Sequence, residues 1–300
     1  MFTGGNDSTK FDFWSPADCA IDCHMIYGTL EERPTAVIGF YPGKMIEVRT
    51  TQNLYYSTPE APQWARTELG QFTGFGITTG SHSIRYIVGG ERPFTGSTHN
   101  IIVVDSATGK FGEPKWVLDE PMTDMLVCLA DSDKYMVTVG GYDKDKVGKK
   151  GMFIYETVDG TKQKVDTTFF KDMQMVCKDN FAYVLHDSNL YVVDVRAPPA
   201  NLSAPTVTTG SIGSRLADFN EEIVLVGGTK LGGSGEDVPN LRYLINGRLV
   251  DGPAFPYTGR KMRDIFSVRP NTAPASGAAG GDLIDFHPWQ SIPFFGDEPQ

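Results

Sequence analysis

Met136-Val137-Thr138-Val139-Gly140-Gly141 is the stretch that decides the fold, because related runs recur along the chain. Tyr86-Ile87-Val88-Gly89-Gly90 and Ile223-Val224-Leu225-Val226-Gly227-Gly228 have the same form, a β-prone apolar run that ends in two glycines. Two weaker copies are Ala36-Val37-Ile38-Gly39 and Ala182-Tyr183-Val184-Leu185-His186. The chain therefore contains an internal repeat, which is the first feature to establish in any sequence.

The spacing of these runs indicates the architecture. With positions 39, 89, 140, 186 and 227 taken as equivalent, the steps are 50, 51, 46 and 41 residues, and one further step reaches residues 265–268. A second β-rich segment follows each run, and a weaker one precedes most of them. Periods of about 40 to 50 residues are typical of propellers with four-stranded blades. The sequence predicts an all-β fold, a six-bladed β-propeller of four-stranded antiparallel blades.

The blades are expected to form a single domain. The innermost strand of the first blade is predicted at His24 to Thr29, and Phe11-Asp12-Phe13-Trp14 is predicted to be a strand that precedes it. We expect the strand at 11–14 to complete the last blade, because joining the two ends of the chain removes an open sheet edge. The predicted domain covers residues 1–300, with blades at approximately 20–70, 71–120, 121–169, 170–210, 211–256 and 257–300.

Composition and charge limit which classes of partner and which cellular compartment are expected. The chain is 40% hydrophobic with 33 glycines, as expected for a globular protein with many tight turns. Its net charge of −10 argues against binding to nucleic-acid phosphates. No apolar run is long enough to predict membrane insertion, and residues 1–10 do not resemble a signal peptide. A cytoplasmic location is expected; an extracellular one stays open if the start is a processed or recombinant terminus.

The cysteines and histidines show no metal-ligand spacing, so neither a metal nor a cofactor is expected. Cys128 and Cys177 lie in apolar runs, where free thiols behave as small hydrophobic side chains. Asn6-Asp7-Ser8 and Asn201-Leu202-Ser203 match the N-glycosylation pattern. Without a signal peptide, these two triplets carry little weight.

The second and third repeats resemble kelch repeats. The second has Tyr86 to Gly90, then Ile101 to Asp105, then Trp116, similar to the kelch order of apolar strand, double glycine, second strand and Trp. The fourth repeat departs from this order, with His186-Asp187 in place of the glycines. The resemblance implies a kelch-type propeller. We expect it to act as a non-catalytic scaffold that binds a protein partner, alone or within a larger assembly.

Long connections indicate where binding would occur. Glu91 to His99, Tyr142 to Lys150 and Thr229 to Asn240 each follow a second strand, so they should leave one face together with the segments that enter the innermost strands. Long loops on a rigid scaffold commonly carry binding sites. The alternative is that they are tolerated insertions.

The candidate binding residues are basic or aromatic. A basic cluster would suit an acidic partner segment, or it is a surface patch with no role. Aromatic residues near the axis would instead stack on sugars, which favours a carbohydrate-binding or carbohydrate-modifying propeller with a site at the axial mouth. The predicted binding residues are Arg260, Lys261, Arg263, Phe94, His99, Tyr142, Arg215 and Tyr257.

Overall fold

The computed structural model consists of β-strands and the turns between them. No helix that is long and apolar enough to cross a membrane occurs in the part of the chain that is described. The described residues are 2–5, 10–13, 25–29, 34–41, 45–50, 54–57, 65–66, 74–79, 84–92, 96–105, 110–112, 116–219, 222–232, 235–254, 262–270 and 284–287.

The strands are short and follow one another closely. In chain order they are β1 (Phe2–Gly5), β2 (Lys10–Phe13), β3 (Met25–Thr29), β4 (Pro34–Tyr41), β5 (Met45–Thr50), β6 (Leu54–Ser57), β7 (Ala65–Arg66), β8 (Gly76–Thr79), β9 (Ile84–Val88), β10 (Glu91–Arg92), β11 (Gly96–Ser97), β12 (Ile101–Asp105), β13 (Lys110–Gly112), β14 (Met122–Thr123), β15 (Leu126–Ala130), β16 (Tyr135–Val139), β17 (Tyr142–Asp143), β18 (Met152–Glu156), β19 (Lys162–Val165), β20 (Met173–Lys178), β21 (Phe181–His186), β22 (Asn189–Asp194), β23 (Val207–Thr208), β24 (Ser211–Ile212), β25 (Arg215–Phe219), β26 (Glu222–Val226), β27 (Thr229–Lys230), β28 (Asn240–Ile245), β29 (Arg248–Ala254), β30 (Met262–Pro270) and β31 (Ile284–His287).

Within the described residues, these strands form six larger antiparallel sheets, which we number I to VI. Sheets I to V have four strands each, in the orders β4-β5-β6-β7, β8-β9-β12-β13, β15-β16-β18-β19, β20-β21-β22-β23 and β25-β26-β28-β29. Sheet VI has the order β3-β2-β1-β30-β31. The all-β prediction and the antiparallel repeats of four strands are therefore confirmed for sheets II to V.

The core lies between the sheets. All five residues of β16 are buried, so this strand is covered on both faces. A strand buried on both faces has no polar side, which explains why the repeated runs are continuously apolar and not alternating. One buried cluster joins sheets III and IV and includes Val137, Ile154, Met175 and Val184.

Successive sheets are neighbours through their first strands. Strand β8 contacts β15, β15 contacts β20, and β20 contacts β25. Strand β25 in turn contacts β30, and β30 contacts β4. The first strands of sheets II to V thus lie side by side in sequence order. The row continues with β30 beside β25 and β4 beside β30.

The N-terminal strand β2 shares sheet VI with β30 and β31, as expected for the strand at 11–14, but residues 25–29 pair differently from the prediction. Strand β3 was expected as the innermost strand of the first repeat, but it pairs with β2 in sheet VI, and β4 is the first strand of sheet I. Strand β1 pairs directly with β30, and β2 lies one position further out. The prediction for residues 24–29 is therefore wrong, and Trp14 lies outside the described residues. An apolar strand pattern does not specify its pairing partner, which explains the error.

Cys128 and Cys177 are joined by a disulfide, with Cα atoms 5.7 Å apart. The interpretation as free thiols is therefore wrong. Cys128 lies in β15 and Cys177 in β20, so the bond connects sheets III and IV covalently. The sequence contains both cysteines, but it does not reveal that the first strands of sheets III and IV lie side by side.

Candidate binding face

Three hairpins project where the second strand of a sheet passes to the third. We name them hairpin A (residues 91–97), hairpin B (142–148) and hairpin C (229–237). Each begins directly after a glycine pair and is closed by backbone pairing. Because they connect equivalent strands of sheets II, III and V, they leave the sheets at the same end. We call this end the hairpin face.

The same hydrogen bond closes all three hairpins. The N–H of the residue after each hairpin donates to the carbonyl oxygen of the second glycine: Thr98 to Gly90 at 2.8 Å, Lys149 to Gly141 at 2.9 Å, and Val238 to Gly228 at 2.8 Å. The three hairpins are therefore equivalent elements of the repeat, each closed at its base by the same hydrogen bond, and not unrelated insertions.

The glycine pairs are required by conformation and by crowding. Gly140 and Gly141 have φ of 66° and 89°, in the left-handed region that disfavours other residues. A Cβ on Gly140 would collide with the carbonyl oxygen of Phe170, in the segment that enters sheet IV. Gly141 donates to that same oxygen at 3.0 Å. The pair therefore combines a positive φ with a close contact between neighbouring repeats.

The segments that enter the innermost strands lie against the hairpins. Strand β14 pairs with β17, and β24 pairs with β27. In the third and fifth repeats, the entry segment and the long connection therefore form one small sheet. The prediction that the two kinds of segment share a face is confirmed for these repeats.

A left-handed residue recurs just before the first strand of sheets II to V. Gly74, Asp124, Asp172 and Gly213 have φ of 60°, 57°, 55° and 70°. Glycine adopts this conformation freely, and aspartate tolerates it better than most residues. Asp124 also donates its backbone N–H to the carbonyl of Gly74, which ties adjacent repeats together at 2.6 Å.

Charged side chains order hairpin B. The Asp143 carboxylate accepts backbone hydrogen bonds from Val147 and Asp145, both at 2.9 Å. The bond from Val147 is the main reason that the pKa of Asp143 is lowered. The Lys149 ammonium lies 3.1 Å from both Glu120 and Asp143, and the hydrogen bond to Glu120 is the main cause of its raised pKa.

An ion pair connects hairpins A and B. The Lys146 ammonium contacts the Glu91 carboxylate across a separation of 55 residues. Both side chains are largely exposed, so the pair contributes little to overall stability. The contact shows that hairpins A and B, which leave sheets II and III, lie next to each other.

A buried arginine anchors the base of hairpin C. Arg242 is 7% exposed and donates from Nη1 to the carbonyl of Thr209 at 2.6 Å. Its Nη2 donates to the hydroxyls of Ser211 at 2.7 Å and Ser214 at 2.9 Å. Burial lowers the pKa of Arg242. Since Gln174 of sheet IV also donates to the Ser214 carbonyl, this polar cluster joins sheets IV and V beneath the hairpin.

Sheet IV has no projecting hairpin at the equivalent point, where a tight turn joins its second and third strands. His186 pairs with Asn189, so the connection is a two-residue turn in which Asp187 has φ of 53°. The His186 ring stacks on Phe169 at 4.6 Å. The turn therefore lies close to the end of its sheet, between the projecting hairpins B and C.

Three exposed apolar side chains lie on the hairpin face. Val147 is 57% exposed, and Ile212 and Leu231 are each 48% exposed. Ile212 opposes Thr229, and Leu231 donates its N–H to Gly210 at 2.9 Å. Since side chains alternate along strands, Ile212 and Leu231 share the outer side of the ribbon, opposite the buried Ser211.

The predicted binding residues fall into three groups. Tyr142 and His99 lie in the hairpin region, and Arg215 begins β25. The Tyr142 ring packs edge-to-face against Phe170 at 5.7 Å and is half-buried, which limits its use as a stacking platform. Outside the described residues lie Phe94, Tyr257, Arg260 and Lys261.

Arg263 lies in β30, which begins at Met262. Met262 pairs with Gly5 and Asp264 pairs with Gly4, so Arg263 is located at an irregularity in this pairing. Its part in binding stays a prediction.

Several structurally important residues were missed from the sequence. The sequence does mark Arg242 as unusual, because a charged residue interrupts the apolar pattern between Leu241 and Tyr243. No such mark distinguishes Glu91 and Lys146, since only the fold brings them together. No group of three or more His, Cys, Asp or Glu residues positioned to hold a metal occurs among the residues described here.

Comparison with known proteins bears on the fold alone. No protein-family model matches the chain, and no curated protein matches it. A solved structure titled "Structure of YjhT" is similar, with a TM-score of 0.50 and 10% sequence identity over 77% of this chain and 88% of that chain. At this identity the likeness supports a shared all-β architecture.

Proposed function

We propose that the six sheets are the blades of a β-propeller, and that its hairpin face binds a protein partner without catalysis. The consecutive contacts of β8, β15, β20, β25, β30 and β4 support the ring. Closure requires sheet I to lie beside sheet II. The pairing of β1 with β30 would join the two ends of the chain within the last blade.

The three hairpins on one face carry this proposal. Each base is fixed by a left-handed glycine pair and a hydrogen bond to the second glycine. A surface already held in shape loses less conformational entropy on binding than a flexible loop does. Hairpins presented in this way suit recognition of another protein.

Both apolar and charged side chains lie on this face. Val147, Ile212 and Leu231 supply exposed apolar area on hairpins B and C and the strand paired with hairpin C. Lys146 and Lys230 lie on the same two hairpins, paired with Glu91 and with Glu236. Such a mixture would suit contact with another protein. Attraction of an acidic partner by Arg260 and Lys261 is part of the proposal.

Substitution on opposite ends of the sheets tests the proposal. The double variant Ile212→Ser/Leu231→Ser removes apolar area from the hairpin face. The matched control Val158→Ser/Ile245→Ser removes it from the opposite end, where these side chains are 64% and 41% exposed. The amount of partner protein captured from an extract of the source organism should fall at least about tenfold with the first variant only. A loss of this size is typical when side chains that anchor an interface are removed. Equal capture by both variants contradicts the proposal.

A further inference from the structure

The disulfide between Cys128 and Cys177 bears on where the protein matures. Cys128 is 6% exposed, and Cys177 packs against the same buried cluster. The two strands belong to different sheets, so the bond fixes two repeats to each other. Disulfides that hold structure together form in oxidising compartments and are rare in the cytosol. This position favours the secretory pathway over the cytoplasmic location expected from the sequence.

A second feature points the same way. The triplet Asn201-Leu202-Ser203 matches the acceptor pattern for N-linked glycans, with a residue other than proline in the middle. Asn201 and Ser203 are both exposed. Leu202 between them is 7% exposed and belongs to the same buried cluster as Cys128.

The backbone holds this triplet in place at the edge of sheet III. The Leu202 N–H donates to the carbonyl of Asp166, and the Asp166 N–H donates to that of Ala200, both at 2.9 Å. Asp166 directly follows β19, the last strand of sheet III. Residues 203–206 are exposed as well, so the surface beside Asn201 has room for a large substituent.

We propose that Asn201 carries an N-linked glycan in a chain that matures in the secretory pathway, where Cys128 and Cys177 become joined. In the transfer, the Asn201 side-chain nitrogen loses a proton and bonds to C1 of an oligosaccharide. The bond from C1 to a lipid pyrophosphate breaks, and the lipid pyrophosphate leaves with the electron pair. The two thiols lose two protons and two electrons to the disulfide of a thiol oxidoreductase, which is reduced to a dithiol.

The glycan would stand at the outer edge of sheet III. Asn201 bridges to Asp166, which follows Val165, and Val165 pairs with Met152. Asn201 therefore lies at the edge of the sheet end from which hairpin B also leaves. The inference is independent of the proposed partner binding, and either can fail without the other.

Peptide mapping of the native protein tests both parts. Protein from its source is alkylated without reduction, digested, and treated with an amidase that releases N-glycans in heavy-oxygen water. We expect Asn201 to appear as heavy-labelled Asp, and peptides containing Cys128 and Cys177 to remain joined. Alkylated Cys128 and Cys177 would overturn the secretory assignment, and an unlabelled Asn201 in a disulfide-bonded chain would overturn the glycan.

Secreted variants supply matched controls, in a background with Asn6→Gln to remove the other triplet. Asn201→Gln and Ser203→Ala should abolish the mass loss on glycan release, and Ser203→Thr should retain it because the hydroxyl remains. Asn201→Gln should secrete normally, since the side chain is exposed. A mass loss that persists in Asn201→Gln would place the glycan elsewhere and contradict the proposal.

Discussion

Sheets III and IV connect their second and third strands in different ways. In sheet III the second strand is followed by Gly140-Gly141, which lies against the carbonyl of Phe170 and leads into hairpin B. In sheet IV the corresponding residues are His186-Asp187, and the chain turns back at once to Asn189. The glycine pair is therefore needed where the backbone must both leave the sheet and make room for the next repeat.

The strongest test of this comparison concerns crowding at Gly140. Gly140 and Gly247 both have positive φ, 66° and 72°, but only Gly140 is crowded by neighbouring atoms. Gly247→Ala should lose about 1 kcal/mol from conformation alone. Gly140→Ala should lose about 2 to 4 kcal/mol, because the added methyl also overlaps the Phe170 carbonyl.

Urea denaturation of both variants measures this difference. The expected result is a clearly lower midpoint for Gly140→Ala than for Gly247→Ala, with an unchanged slope. Equal midpoints would mean that crowding does not explain the glycine pair.

The buried cluster under hairpin C has no counterpart at the sheet IV turn. Arg242→Met should lose about 2 to 3 kcal/mol, because it removes the side-chain donor to the buried Thr209 carbonyl and two hydrogen bonds to the Ser211 and Ser214 hydroxyls. Amide exchange should speed up at Lys230, whose N–H bonds to Glu236 in hairpin C, and not at Asn189. The control is Arg248→Met in the same sheet, an exposed site where about 0.5 kcal/mol or less is expected. An unchanged amide exchange rate at Lys230 would contradict the conclusion that Arg242 anchors hairpin C.

The sheet IV turn depends on a left-handed aspartate. Asp187→Gly should keep wild-type stability within about 0.5 kcal/mol, whereas Asp187→Ala should lose about 1 kcal/mol, because φ is 53°. Thermal unfolding of the two variants measures the difference. If alanine is tolerated as well as glycine, conformation does not limit this turn.

The smallest expected effect is the acid response of hairpin B. The pKa of Asp143 is lowered in the folded protein, so its stabilising contribution is present above the unfolded pKa of about 4 and is lost as the pH falls through the folded value. Wild type should therefore lose slightly more stability than Asp143→Asn between about pH 5 and pH 2. Melting temperatures across this range, with the difference at neutral pH as reference, provide the check. Parallel profiles for the two proteins would contradict this account.

The sequence predicted the repeated part of the fold well. Apolar runs such as Tyr135–Val139 are buried on both faces, and that leaves a clear pattern. The pairing at the ends of the chain was less accessible, because residues 25–29 have a strand pattern that fits more than one partner. Contacts between hairpins, such as Lys146–Glu91, link residues that are distant in the sequence and leave no local signal.

Site-specific photo-crosslinking tests the central claim, that the hairpin face binds the partner, most directly. A photoreactive amino acid is placed at Val147 or Leu231 on the hairpin face, and at Val158 or Ile245 at the opposite end of the sheets. These four side chains are similarly exposed, so differences in labelling report on position. We predict a discrete protein adduct from Val147 and Leu231 only. Adducts formed equally from all four positions, or only from Val158 and Ile245, would contradict a binding surface on the hairpin face.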